Sequence, residues 1–296
     1  MTTPAEALAY RHCEEITRTR ARNFYYGIRL LPAEKRSAMC ALYAMARRID
    51  DVGDDTTQPG QPTDRLAALE GVRGSVRLLE RVAQGEPGAA VPPGDPVLVA
   101  LADTARRFPI PFGALEELVE GCEWDVTGRQ YQTFPELVEY CRRVAGTVGR
   151  LSLAIYGSTD DDMAQPLADA LGVALQLTNI LRDLLEDSTV MGRVYLPAED
   201  LERFSIGPGL EGEGDDLMAL VCYETGRAAE WYERGLPLLD LLDQRSRACT
   251  AAMAGIYRRL LDKIRQRPDR VLHERVSLST GQKLAVAGMA LARGAL

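Results

Sequence analysis

Histidine is nearly absent from this chain: His12 and His273 are the two in 296 residues. The six cysteines (Cys13, Cys40, Cys122, Cys141, Cys222 and Cys249) include no Cys-x-x-Cys pair, so a zinc site lacks ligands at any usual spacing. They read as free, buried or half-buried thiols of a reducing cytoplasm. No apolar run reaches the roughly 18 residues that a membrane span needs. The first 20 residues, MTTPAEALAYRHCEEITRTR, are polar and carry no apolar leader core. Positive charge is in deficit: 35 Lys and Arg against 43 Asp and Glu leave a net charge of −8, a poor match for nucleic-acid phosphates. With 26 Gly, 16 Pro and 46% hydrophobic residues, the chain is neither collagen-like nor disordered, and it is long enough to bury a large core.

What is present is helical almost throughout. Between Pro32 and Asp50, Met39, Leu42, Ala46 and Ile49 recur at spacings of three and four. Further helical stretches are expected near 4–20, 64–84, 96–107, 112–127, 135–157, 162–187, 216–244, 247–266 and 279–293. Breaks fall at 56–63 (TTQPGQPT), 85–96 (GEPGAAVPPGDP) and 205–215 (SIGPGLEGEGD), where Gly and Pro concentrate. No alternating strand run and no fixed-period repeat occurs. The expected architecture is one all-α domain over 1–296.

Two acidic segments stand out. In Arg47-Arg-Ile-Asp-Asp-Val-Gly-Asp-Asp55, Tyr43, Arg47, Asp50 and Asp54 fall within about 60° of arc on one helix face. Taken alone, such a run is more often a solvated helix end. The second segment, Gln176-Leu-Thr-Asn-Ile-Leu-Arg-Asp-Leu-Leu-Glu-Asp187, weighs against that reading. Gln176, Asn179, Asp183 and Asp187 form a polar stripe on a helix otherwise rich in Leu and Ile. Carboxylates on a buried helix need partners, either arginines or a cation. Oxygen-only ligands point to Mg²⁺, which shares its shell with water and phosphate. Arg47 and Arg182 add fixed positive charge, and Mg²⁺ with arginine suits a diphosphate. Such a site could ionise an allylic diphosphate, given a dry apolar pocket for the cation. Around Tyr140, Val144, Thr147, Leu151 and Ala154 share a helical face, and Gly146 and Gly149 permit close helix approach, so this face could line a tunnel.

The ordered strings resemble the squalene/phytoene synthase family of head-to-head prenyl transferases over nearly the full length. They are Ala21-Arg-Asn-Phe-Tyr-Tyr-Gly27 with Leu30-Leu-Pro32, Ala41-Leu-Tyr-Ala-Met-Ala-Arg-Arg-Ile-Asp-Asp51, Tyr140-Cys-Arg-Arg-Val-Ala-Gly-Thr-Val-Gly149, Gln176-Leu-Thr-Asn-Ile-Leu-Arg-Asp183, Gly192-Arg-Val-Tyr-Leu-Pro197, Ile256-Tyr257 and Leu272-His-Glu-Arg-Val276. The resemblance implies the class I isoprenoid synthase fold, a helical bundle around a central cavity, with Mg²⁺ and prenyl diphosphate substrates. It implies Asp50, Asp54, Asn179, Asp183 and Asp187 as metal ligands. It places Asn23, Phe24, Tyr43, Gln176, Tyr257, Arg275 and Lys283 against substrate, and Arg47, Arg182 and Tyr140 at the reacting groups. Two departures stand out. Arg20-Ala21-Arg22-Asn23 replaces a Ser- or His-containing segment, and Arg142 stands where some members carry an aromatic residue.

Within the family, Ala21–Pro32 and the first acidic run look most like bacterial presqualene diphosphate synthases of hopanoid pathways. The expected reaction is therefore the joining of two farnesyl diphosphates. The alternative is a phytoene or dehydrosqualene synthase of carotenoid biosynthesis, with geranylgeranyl diphosphate as the longer substrate. A terpene cyclase shares the spacing of the second motif but not the other strings. A non-catalytic assembly subunit would carry a damaged motif, and none is damaged. Release of an apolar product suggests a peripheral membrane contact.

Overall fold

A computed structural model of the chain describes residues 3–21, 23–54 and 61–294, with the side chains of Asp54, Arg293 and Gly294 set aside. Thr3 starts α1 (Pro4–Arg20) through a capping box: its hydroxyl accepts from the Glu6 N–H at 3.2 Å, and its own N–H donates to the Glu6 carboxylate at 2.7 Å. A short α2 (Tyr25–Ile28) leads into α3 (Ala33–Asp54), which carries the first acidic segment. Next come α4 (Pro62–Ala83), α5 (Pro96–Arg107) and α6 (Phe112–Val126). Asp95 caps α5 through the Val97 and Leu98 N–H groups, and its carboxylate also takes a two-pronged bond from Arg48, at 2.7 and 2.8 Å, which ties α5 to α3.

The expected helix over 135–157 is interrupted. α7 (Phe134–Cys141) passes through one π-helical turn (Arg142–Gly146) into α8 (Thr147–Tyr156). There the Thr147 N–H reaches back to the Arg142 carbonyl, an i to i+5 bond. Residues beyond the turn are therefore offset by one position from a straight α-helix. The single face drawn through Tyr140, Val144, Thr147, Leu151 and Ala154 does not run straight. The close approach does occur: a Cβ at Gly149 would lie 2.5 Å from the Ala168 carbonyl oxygen, and one at Gly172 would lie 2.5 Å from that of Ala145.

α9 (Asp161–Thr189) carries the second acidic segment and packs against α7, the π turn, α8, α11 (Gly214–Gly235) and α12 (Gln244–Gln266). α10 (Ala198–Arg203) and α13 (Thr280–Gly294) complete the chain's α-helices, with 3₁₀ turns at Leu236–Leu241 and Pro268–Leu272. No strand occurs among the described residues. α8 packs against both α3 and α9, so the helices bearing the two acidic segments share a neighbour. One contiguous apolar core runs from Ala9 to Val286. Cys13, Cys40, Cys122, Cys141 and Cys249 are buried free thiols and Cys222 is exposed. Among the described residues, no helix is long and apolar enough to cross a membrane.

Candidate active site

At the end of α3, Arg47 bonds Asp50 at 2.8 Å and also pairs with Asp51. Both carboxylates stay half exposed, at 48% and 45%. The Asp54 side chain lies outside the described residues, as does Arg22 of the N-terminal string. Beside this helix end opens a cavity of about 680 Å³, bordered by Arg20, Arg47, Arg48 and Arg65 together with Asp51 and Asp64.

On α9 the polar stripe is more deeply set. The Asn179 Nδ2 donates to Gln176 Oε1 at 3.3 Å, while Asn179 Oδ1 is buried with no hydrogen-bond donor. Arg182 Nε donates to Asp183 Oδ1 at 2.8 Å, and Tyr257 of α12 lies within hydrogen-bonding reach of the same guanidinium. Burial opposes the charge on Arg182, but these partners hold its pKa above the ordinary arginine value. Arg275, which in isolation would read as a surface cation, reaches Asp183 Oδ1 at 2.7 Å and Glu186 at 3.6 Å. Lys283 sits in the first turn of α13, its N–H on the Ser279 carbonyl.

Aromatic side chains form a second component. Phe24 stacks on Tyr257 with ring centres 5.4 Å apart, and Asn23 beside it is half-buried. Tyr43 lies close enough to Tyr257, Arg47 and Asp50 to feel their charges, and burial pushes its phenol up to about 12. α2, α3, α9 and α12 thereby bring Phe24, Tyr43, Arg47, Asp50, Arg182 and Tyr257 into one neighbourhood. Tyr140 belongs to a separate aromatic group: it stacks on Tyr195 at 5.2 Å and tilts against Tyr131 at 5.3 Å. Both Tyr140 and Tyr195 donate their phenolic hydrogens to Asp125 of α6, each at 2.9 Å.

Arg193 joins the two acidic segments. Its N–H donates to the Asp187 carbonyl at 2.8 Å, and its guanidinium reaches the Gly53 carbonyl at 3.3 Å. Asp125, Tyr131, Arg193 and Tyr195 are additions to the sequence reading. Arg193 and Tyr195 stood inside the quoted Gly192–Pro197 string. Asp125 had no signal of its own, being one of five acids in α6 with Glu116, Glu117, Glu120 and Glu123.

The oxygen donors suit a hard divalent cation, and the orphaned Asn179 Oδ1 is the kind of buried atom such an ion would satisfy. Among the described residues, however, no three His, Cys, Asp or Glu side chains converge as a ready-made ligand set. Of the two partners that the sequence allows for these acids, arginines are in place: Arg47 on Asp50, and Arg182 and Arg275 on Asp183.

A helical scaffold with acids on two helices, arginine counter-ions and an aromatic wall is the arrangement of an isoprenoid synthase. Residues 17–282 match the squalene/phytoene synthase family, and the chain belongs to it. It is 47% identical to the phytoene synthase of Mycobacterium tuberculosis over 96% of this chain and 91% of that protein. It is 36% identical to the phytoene synthase of Arthrospira platensis, over 96% and 93%. A crystal structure of a dehydrosqualene synthase with ligand superposes with a TM-score of 0.84 at 29% identity, covering 97% of each chain. The squalene synthase HpnC of Alicyclobacillus acidocaldarius gives 0.77 at 29% identity, over 90% of this chain and 96% of that one. The protein is a prenyltransferase of a family that depends in general on divalent metal.

Proposed function

We propose that this chain is a phytoene synthase that joins two geranylgeranyl diphosphates head to head with Mg²⁺. The observation that carries the reading is the 47% identity to a phytoene synthase across 96% of the chain. The presqualene diphosphate reading rested on two short strings, and near-full-length identity weighs more. Two ionisations are required: the first releases one pyrophosphate and a proton as the chains couple to a cyclopropylcarbinyl diphosphate, and the second releases the other pyrophosphate, with rearrangement and loss of a second proton giving the hydrocarbon.

Asp50, Asn179, Asp183 and Asp187, with Asp54, would hold Mg²⁺, which would neutralise the departing diphosphate. Arg47, Arg182 and Arg275 already stand on those acids and can turn to diphosphate oxygens, orienting the leaving group. Phe24, Tyr43 and Tyr257 provide an apolar wall that keeps water from the carbocation. Gln176 and Asn179 supply polar contacts on the same face, and Asn23 and Lys283 serve as further substrate contacts.

The test is incubation with Mg²⁺ and either geranylgeranyl or farnesyl diphosphate, without NADPH. A C40 hydrocarbon with a central conjugated triene, and two pyrophosphates per substrate pair, are expected. A product that keeps one diphosphate would return the assignment to presqualene diphosphate synthesis. A C30 hydrocarbon of that kind made in preference would make the chain a dehydrosqualene synthase, and no pyrophosphate release from either substrate would remove the enzyme reading.

A further inference from the structure

Asp125 is the carboxylate at the centre of the tyrosine group. Tyr140 donates to it at 2.9 and 3.0 Å and Tyr195 at 2.9 Å. Burial, with the Asp125 charge next, raises both phenols well above the usual tyrosine range, so both remain protonated donors. The cluster is tied to the two acidic segments through Arg193, whose guanidinium lies 3.5 Å from the Tyr195 hydroxyl. Tyr195 is two residues from Arg193, which bonds the carbonyls of Gly53 and Asp187 at the ends of those segments.

We propose that Asp125 is a positioning residue of the prenyl transfer reaction, acting through Tyr140. The inference rests on the prenyltransferase reading of the site. Its chemical logic comes from what a carbocation does to nearby groups. A bare carboxylate beside an allylic cation would capture it as an ester. A carboxylate capped by two phenols keeps its negative charge but has its lone pairs engaged, so it stabilises positive charge without bonding to it. Each phenol that gives its hydrogen to Asp125 also becomes richer in electron density at oxygen. Tyr140, which the family resemblance places at the reacting groups, thereby has the better acceptor oxygen, and its ring is held between Tyr131 and Tyr195. Asp125 fixes that orientation before substrate arrives, so no reorganisation is needed when charge develops.

The experiment compares wild type, Asp125→Asn, Tyr140→Phe and the double variant by steady-state kinetics on a prenyl diphosphate with Mg²⁺, together with melting curves. Asp125→Asn keeps the shape but loses the charge. Its kcat should fall on the order of 10²-fold while KM stays within about threefold and the melting temperature holds. The double variant should be no slower than Tyr140→Phe alone, because Asp125 acts through that phenol. A kcat for Asp125→Asn within about twofold of wild type, or losses that multiply in the double variant, overturns the proposal. If Asp125→Asn does not fold, Tyr195→Phe decides. It removes one of the two caps and should lower kcat on the order of tenfold, with no added loss on Tyr140→Phe, whereas an unchanged kcat overturns the proposal. Wild-type turnover separates the two levels. Active wild type with unimpaired Asp125→Asn overturns this inference alone, and inactive wild type on every prenyl diphosphate overturns both readings.

Discussion

Two of the clusters that set arginine among acids differ in whether the arginine can leave. Beneath α10 and α11, Arg227 bonds Asp200 at 2.5 Å and Glu224 at 3.1 Å. The two acid side chains are only 3% and 2% exposed, and the guanidinium is covered by the rings of Phe134 and Tyr223 at 4.1 and 4.5 Å. With both acids buried, a proton on Glu224 offsets the surplus negative charge. Burial, with Asp200 alongside, pushes the Glu224 carboxyl up to about 8. A proton between Glu224 and Asp200 also supplies the donor that Glu224 Oε2 otherwise lacks. At the candidate site two of the three counter-ions are open to solvent, Arg275 at 56% and Arg47 at 30%, and the acid Asp50 is 48% exposed, while Arg182 is largely buried with Asp183. There a metal and a diphosphate can exchange with the guanidinium groups. An acid–arginine cluster becomes a binding site when its counter-ions can be displaced, and remains structural when they cannot.

The strongest test of this contrast is at the α9 stripe. Asp183→Ala and Asp187→Ala, and Asp50→Ala on α3, should each lower pyrophosphate release on the order of 10³-fold or more while leaving the helical circular dichroism spectrum intact. Chelator should abolish activity and added Mg²⁺ restore it, and full turnover in excess chelator would falsify the metal-exchange side of the comparison.

The sealed cluster should respond in the opposite sense. Arg227→Ala leaves two buried acids without their cation and should cost roughly 3–5 kcal/mol by urea unfolding. The protein that remains folded should keep its turnover rate. A rate loss as deep as that of Asp183→Ala at unchanged stability would break the distinction.

Arg275→Gln should fall between these two. Arg275 itself is largely exposed and Asp183 keeps Arg182 as a partner, so stability should move by under about 1 kcal/mol, whereas kcat/KM should fall on the order of tenfold through the lost diphosphate contact. Equal small changes in both quantities would mean that Arg275 does not trade Asp183 for substrate.

The smallest effect is one of pH. The folded pKa of Glu224 lies above its unfolded value, so the folded state holds a proton that the unfolded state has lost. The stability it contributes is complete below about 4.5 and declines as pH rises through about 8. Glu224→Gln should flatten this decline, measured as the urea midpoint at pH 6 against pH 8.5. A wild-type midpoint that rises over this interval through Glu224 would reverse the sign and refute the shared proton.

Much of the helix pattern was legible because apolar spacing and cap residues act locally. α1 and α5 begin and end at the expected bounds, 4–20 and 96–107, and the structure shows Thr3 and Asp95 as their caps. α2 and α10 escaped because elements of four and six residues are too short to establish a period. The expected helix over 216–244 ends at Gly235 and continues as a 3₁₀ turn, since Pro237 removes a donor from the ladder. The π turn at Arg142–Gly146 was hidden because a residue string does not reveal which carbonyl each N–H will choose. At the candidate site, the α9 stripe was readable from its spacing, but the pairing of Arg275 with Asp183 joins residues 92 apart in the chain.

By itself, then, the sequence determined the helical class, the two acidic faces and the family strings, because each is written in spacings of three or four residues or in short contiguous runs. Tertiary structure alone decided which acids face an exchangeable counter-ion and which are sealed, and it alone gathered Asp125, Tyr140 and Tyr195 from three separate segments. The physical reason is that burial and partner choice depend on what packs from elsewhere in the chain. Asp200 and Asp183 are the same residue type, each within reach of an arginine. Only the rings over Arg227, and the openness around Arg275, make one a structural cage and the other a candidate ligand.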